Sequence, residues 1–230
     1  MFDIQLPKLR AGIGNGTTKD GLCLMQMVDY FSGTEQRFSD HPACASSVLT
    51  GYSIRINDLA PSQEARDSLW PLVFKLNGSH DPACERRRLE YLILESVRGP
   101  VADKFEGSNF TQYAAEFRAV KTILDVKTVA VKAKASAPGN AAYAAAYAAA
   151  DAAAYADAAA YAASYAAAAA YAAAYAAAAA DAASTYSKYW FQARDIFARA
   201  IELGAHGECD PAVVMPRLVD LKRRMGIEQG

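Results

Sequence analysis

Between Gly139 and Gly204 the chain contains neither glycine nor proline, and residues 141–180 hold 30 alanines and seven tyrosines. Alanine is the best helix former, because it loses no side-chain entropy and carries no polar group to compete with the backbone. A run this long lies far above the length at which nucleation limits a helix. The expectation is a very long Ala/Tyr-rich helix over 139–204, straight or kinked. At 1.5 Å per residue, roughly 60 residues would reach about 90 Å.

The tyrosines are placed at helical spacings. Tyr143 and Tyr147, Tyr161 and Tyr165, and Tyr171 and Tyr175 are each four apart, as are Asp151 and Tyr155. Such pairs are neighbours on one helix face. From Asp151/Tyr155 onward the pairs, through Tyr161/Tyr165 and Tyr171/Tyr175 to Asp181/Thr185, also echo every ten residues, which falls short of three turns by roughly 80°. The pairs therefore drift around the axis, and the pattern is not a heptad coiled coil.

Between Lys134 and Lys188 the only charges are Asp151, Asp157 and Asp181. A lone rod with so few charges exposes more apolar surface than a monomer tolerates. Alanine faces also let helix backbones approach closely. The segment is therefore expected to pack against the chain's own helices, a second copy or a helical protein partner. Tyr143, Tyr147, Tyr155, Tyr161, Tyr165, Tyr171 and Tyr175 form the expected interaction face. Their rings would be covered and their hydroxyls left at a wet edge. The uncharged run from Ala158 to Ala180 is long enough for a bilayer. Alanine is nearly neutral for insertion, however, and tyrosine belongs at interfaces. No membrane span is expected. An ice-binding helix would show a flat row of small residues such as threonine, which tyrosine replaces poorly.

The remaining sequence reads as an all-α protein, with a compact helical domain over residues 1–135 and a last helix within 209–227 that packs back on the core. Phe2–Leu6 alternates, as a short strand or an extended arm ended by Pro7. Gly12–Gly16 is a loop that lacks the last glycine and the strand of a phosphate-binding motif. Helices are expected over Lys19–Phe31, closed by Gly33, and over Pro42–Ile56, begun by Ser39 or Asp40. A third is capped by Ser62 and runs through Trp70 to Leu76, kinked or shortened by Pro71 and ended at Asn77-Gly78. Asp81-Pro82 starts a fourth, with Arg86, Arg87 and Arg88 on a solvated face. Ser108 or Asn109 starts a fifth that reaches Leu124. Thr128–Lys134 alternates like a strand or a connector. Tyr186–Leu203 is amphipathic, and Asp210-Pro211 begins the final helix, with Val214, Leu218, Leu221 and Met225 at core spacing.

The chemistry-bearing residues are few. Every histidine lies three or four residues before a cysteine: His41 and Cys44, His80 and Cys84, His206 and Cys209. Both residue types bind zinc, and a metal site would draw on Cys23, His41 and Cys44. The same motifs, Asp-His-Pro-Ala-Cys, His-Asp-Pro-Ala-Cys and Cys-Asp-Pro-Ala, also suit helix starts, with cysteine as a small hydrophobe. No C-x-x-C, G-x-S-x-G, H-E-x-x-H or P-loop is present. Glu64 and Asp67 sit at helix-surface spacing. No enzyme is expected, and no cofactor beyond the zinc alternative. A net charge of −1 gives no electrostatic argument for nucleic acid. Met1-Phe2-Asp3 lacks the features of a signal peptide, and four scattered cysteines suit a reducing cytoplasm.

Two segments carry a resemblance. Gly21–Tyr30 has the pattern G-x-C-x-M-x-x-V-x-Y, and Ser39–Cys44 reads S-D-H-P-x-C. Together with the alanine tract, Glu85–Arg88 and Val219–Met225, they resemble a group of uncharacterised bacterial and phage proteins. Relatives in that group often place Trp, Arg or Asp where this tract has Tyr. They need not carry a cysteine at the position of Cys84. The resemblance implies a helical fold and a bacterial or phage origin; the expected location is the bacterial host cytoplasm, with association with a virion as the alternative. The expected role is a non-catalytic interaction or assembly protein. The alternatives are a zinc-stabilised protein and an inhibitor of a host or phage defence protein.

Overall fold

The computed structural model describes residues 6–12, 21–33, 38–107, 110–136, 183–207 and 210–227. Among these residues it is helical without a strand. An isolated parallel bridge joins Leu9 to Leu22. The alanine–tyrosine tract up to residue 182, its seven tyrosines and Cys209 lie outside the described residues. So does the Gly12–Gly16 loop beyond Gly12.

The innermost element is α1, Leu24–Ser32. Every residue from Leu24 to Phe31 is buried, including Gln26 and Asp29. A helix apolar nearly all round must be wrapped on all sides. Its first turn is closed by Gln26, whose Oε1 accepts the Cys23 N–H at 3.1 Å. Its last residue hands over to Gly33 in the left-handed conformation at φ 81°, as expected of a C-terminal glycine. The start differs from expectation, because Leu22 and Cys23 are extended and the helix begins at Leu24.

α2 (Ser47–Asp58) is capped by Ser46, whose hydroxyl accepts from the Leu49 N–H at 3.1 Å. Ser39 and Asp40 are not its caps. Pro42–Ala45 instead closes a tight turn, with the Ala45 N–H on the Pro42 carbonyl at 3.1 Å. Ser62 caps as expected, accepting from Ala65 N–H. The expected third helix is two pieces, α3 (Gln63–Asp67) and α4 (Trp70–Leu76), with Pro71 in the first turn of the second. Asp67 is no idle surface carboxylate. It accepts the Leu9 N–H at 2.9 Å, while Trp70 Nε1 donates to the Pro7 carbonyl at 2.7 Å, and the N-terminal arm is held in place.

α5 (Glu85–Ser96) starts after the Asp81-Pro82-Ala83-Cys84 turn. It does not stop at Gly99-Pro100. One π-helical turn, Val97–Val101, absorbs the proline that lacks an N–H, and the chain continues into α6 (Ala102–Gly107). α7 (Thr111–Ala119) ends at Val120, short of Leu124, where ψ turns to 140°. Arg98 seals that end by donating to the Val120 carbonyl from Nε and Nη2 at 2.8 and 2.6 Å. The expected strand at Thr128–Lys134 is instead part of α8 (Ile123–Ser136). Val126, Val129, Ala130 and Ala133 are buried. That is the i, i+3, i+4, i+7 pattern of a helix face. The apparent alternation at Val129, Val131 and Ala133 overlapped this period, and Val131 is 63% exposed.

α9 (Ala183–Ile201) and α10 (Pro211–Met225) close the body. Asp210 caps α10 by accepting from Ala212 N–H, and Gly226 ends it at φ 70°. Two cores result. The larger joins α1–α5 with Trp190, Phe197 and Ile201 of α9 and Leu218 and Leu221 of α10. The smaller is built on Phe105, Phe117, Val126 and Ala130.

The arginine triplet needs correction. Arg86 and Arg87 are exposed, but Arg88 is fully buried. Its Nη1 donates to the Ser79 carbonyl and its Nη2 to the Ala205 carbonyl, both at 2.6 Å. It thereby joins the 79–85 turn to the loop after α9. The packing there is close, since a Cβ on Gly207 would stand 1.8 Å from the Asn77 oxygen. Arg88→Ala strands these buried carbonyls and is expected to lower unfolding free energy by about 3 kcal/mol. Arg86→Ala is expected to change it by no more than about 0.5 kcal/mol. Urea unfolding of both variants checks the difference.

Candidate functional site

Three places gather polar side chains. The first lies where the arm, the start of α1 and the end of α2 meet. The Cys23 thiol donates to Asp40 Oδ1 at 3.3 Å. The Cys44 backbone is tied elsewhere, its carbonyl accepting the His80 N–H at 3.0 Å. His41 is exposed. Cys23, His41 and Cys44 are therefore not assembled as a ligand set. Among the described residues no group of three or more His, Cys, Asp or Glu could hold a metal ion. Cys23, Asp40, Asn57 and Asp58 line a cavity of only about 10 Å³, the room needed by one water centre. Asn57 Nδ2 donates to the Arg10 carbonyl at 2.8 Å.

Burial pushes the Cys23 thiol up to about 12, and the nearby Asp40 carboxylate adds to this. A thiol held protonated is neither a nucleophile nor a ready metal ligand.

The second place is the clasp around Arg88. Asp81 Oδ2 accepts the Ala205 N–H at 3.1 Å, and this bond holds the carboxyl below its ordinary range. Cys84 is pushed up by its hydrogen bond to Asp81. Glu202 pairs with Lys75 and with His206 Nε2, the latter at 3.2 Å, and Lys75 holds its carboxyl low. The Asp40–Cys44 turn and the turn that leads to Asp81–Cys84 are tied to one another, the Cys44 carbonyl accepting the His80 N–H. Ser46 N–H reaches Ser79 Oγ, and Glu85 Oε2 accepts from the Ser47 hydroxyl and the Val48 N–H, each at 3.0 Å.

The third place is a groove of about 280 Å³ between α5 and the start of α8. Arg86, Glu90 and Lys121 stand on its rim, with Leu94, Ile123 and Leu124 along it. Sequence reasoning missed it, because Lys121–Leu124 was expected to continue the fifth helix, whereas α7 ends at Ala119 and α8 starts anew at Ile123.

A latch seats α10 on α1. The Tyr30 hydroxyl donates to the Arg217 carbonyl at 3.0 Å and to Asp220 Oδ2 at 2.9 Å. Arg217 Nη1 donates to the Tyr30 and Phe31 carbonyls at 3.2 and 2.7 Å, where a helix end needs donors. Burial and the Asp220 carboxylate push the Tyr30 phenol up to about 12. Arg88 and this latch were legible only as helical phase. Arg88 falls on the side of α5 that carries Leu92 and Ser96.

No protein-family model matches the chain, and no curated protein or solved structure is similar to it. No helix of the described residues is long and apolar enough to cross a membrane.

Two outcomes follow from the ionisation states. Cys23 is expected to resist alkylation at pH 8 until the protein unfolds, while Cys44 and Cys84, both partly exposed, react first; mass mapping of labelled peptides checks the order. Tyr30 has a raised folded value, so its contribution to stability is complete below pH 10 and is lost as pH rises towards 12. Tyr30→Phe should therefore lose less stability than the wild type between pH 10 and pH 12, measured by urea unfolding at each pH.

Proposed function

We propose that this protein is a non-catalytic helical assembly protein, whose alanine–tyrosine segment is the contact surface for a second copy of the chain. The observation that carries this reading is where the segment is attached. α8 ends at Ser136 and α9 begins at Ala183, and both helices are packed into the body. The intervening residues carry three charges, all acidic. A folded body therefore holds both ends of a nearly uncharged, methyl-rich stretch, and such a surface needs cover in water.

The ionisable groups favour contact over chemistry. Cys23 is held protonated. Burial opposes the charge on Asp103, but hydrogen bonds from Gln192, Arg118 and Lys188 overcome it and hold that carboxyl low. Its role is to tie α6 to α7 and α9. Burial, as at Cys23, and structural hydrogen bonds and ion pairs of this kind perturb ionisable groups without a reaction. The resemblance of Gly21–Tyr30 and Ser39–Cys44 to bacterial and phage proteins supports a bacterial or phage origin.

Light-scattering mass tests the reading. The full chain is expected to run at a multiple of the single-chain mass, and Ala168→Glu or Ala173→Glu to reduce it to one copy, since a buried, unpaired charge costs several kcal/mol. A single-chain mass for the unaltered protein overturns self-association.

A further inference from the structure

One face of α8 is open to solvent in a way that its place in the small core does not require. Leu124 is 70% and Val131 63% exposed, and Thr128 and Ala135 are exposed between and beyond them. The four stand at i, i+4, i+7 and i+11, a single narrow stripe along a helix. The stripe opens at its start into the groove bordered by Arg86 and Lys121, with Leu94 and Ile123 alongside. α8 ends at Ser136. Ala137-Pro138-Gly139-Asn140 follows, and then the alanine–tyrosine sequence.

We infer that this stripe, with the groove at its start, is the docking surface for residues 141–157 of the same chain. The inference rests on the reading of the alanine–tyrosine segment as a packing surface, and it divides that surface between two uses. Three arguments select this occupant. A break of four residues containing Pro-Gly, between two helix-forming sequences, favours antiparallel neighbours. The reach is ample, since Leu124 lies 12 residues before Ser136, or about 18 Å of helix, and the segment up to Ala183 is far longer. The charges are complementary. The segment bears only Asp, and the groove presents Lys121 beside an Arg86 that Glu90 already pairs at 2.9 Å.

Small alanine faces suit the close approach that Thr128 and Ala135 permit. Tyr161, Tyr165, Tyr171 and Tyr175 lie beyond this arm and remain for the second copy.

Peptide-resolved hydrogen exchange on the full chain, with light-scattering mass, tests the inference. Leu124→Glu/Val131→Glu changes two exposed side chains, so tryptophan fluorescence and the melting of the body should be unaltered. Protection over 141–157 is expected to fall about tenfold or more, because charge is placed in a packed seam, while oligomeric mass is kept. Val213→Glu/Val219→Glu alters two exposed positions on α10 and is expected to leave that protection unchanged. Three results would overturn the inference: no protection of 141–157 in the wild type, protection unaffected by Leu124→Glu/Val131→Glu, or an equal loss in the α10 variant. Loss of protection together with a fall to single-chain mass also overturns it, since the occupant would then come from the second copy. That result leaves the assembly reading standing. Conversely, a single-chain mass with 141–157 protected and sensitive to the α8 substitutions removes self-association and keeps the docking.

Discussion

The complete burial of α1 is the constraint on which the larger core depends. Eight consecutive buried residues leave it no solvent side, so neighbours must close every direction. α2 and α4 pack along it, and the arm pairs with its approach at Leu22. Burial of each Leu, Met, Val or Phe side chain contributes about 1.5–3 kcal/mol. The cost falls at the helix ends, where backbone groups lose water. Gln26 serves one end from within the helix. The other is served from about 190 residues away by Arg217, whose guanidinium passes so close to Gly33 that a Cβ there would stand 2.2 Å from it. A left-handed glycine and a distant arginine thus solve one problem together.

The same economy governs the clasp. A buried guanidinium is costly unless its donors are used. Arg88 uses Nη1 and Nη2 on carbonyls of the 79–85 turn and the post-α9 loop, irregular segments in need of donors, and leaves its buried Nε without a partner among the described residues. Asp81 completes the arrangement from the other side by accepting the Ala205 N–H. Side-chain bonds therefore hold together loops that helix packing alone would leave apart, and they fix where the C-terminal helices sit on the N-terminal ones.

Much of this was legible where one local signal dominates. Ser62 and Asp210 act as caps, and Gly33 and Gly226 take the positive φ expected of helix ends. Leu218 and Leu221 are buried, as their spacing indicates. Legibility failed where a residue had two uses. Asp40 resembles a cap in sequence but accepts from Cys23. Arg88 resembles its exposed neighbours until helical phase is counted. Val129, Val131 and Ala133 fit both period two and period 3.6 over so short a stretch. Pro100 would end most helices, yet a π turn carries the chain past it. The zinc alternative gains no support from the fold: among the described residues no group of three or more His, Cys, Asp or Glu could hold a metal ion. The seven tyrosines fall outside the described residues.

What the body does contain bears on why the alanine–tyrosine segment is so plain. Its charged side chains are largely committed to its own joints, from Asp103 with Lys188 and Arg118 to Asp220 with Tyr30, Arg223 and Arg224. These links carry orientation, which apolar contact alone fixes poorly. A segment of alanine with regularly placed tyrosine has the opposite character. It offers close approach and ring area, with few groups that demand a particular partner geometry. Specificity then has to come from the ends, where the segment joins α8 and α9, and from its three aspartates. On the proposed assembly reading, an interaction surface built in this way would be permissive along its length and constrained by its anchors, and the polar-jointed body would be as much a part of the contact as the residues that make it.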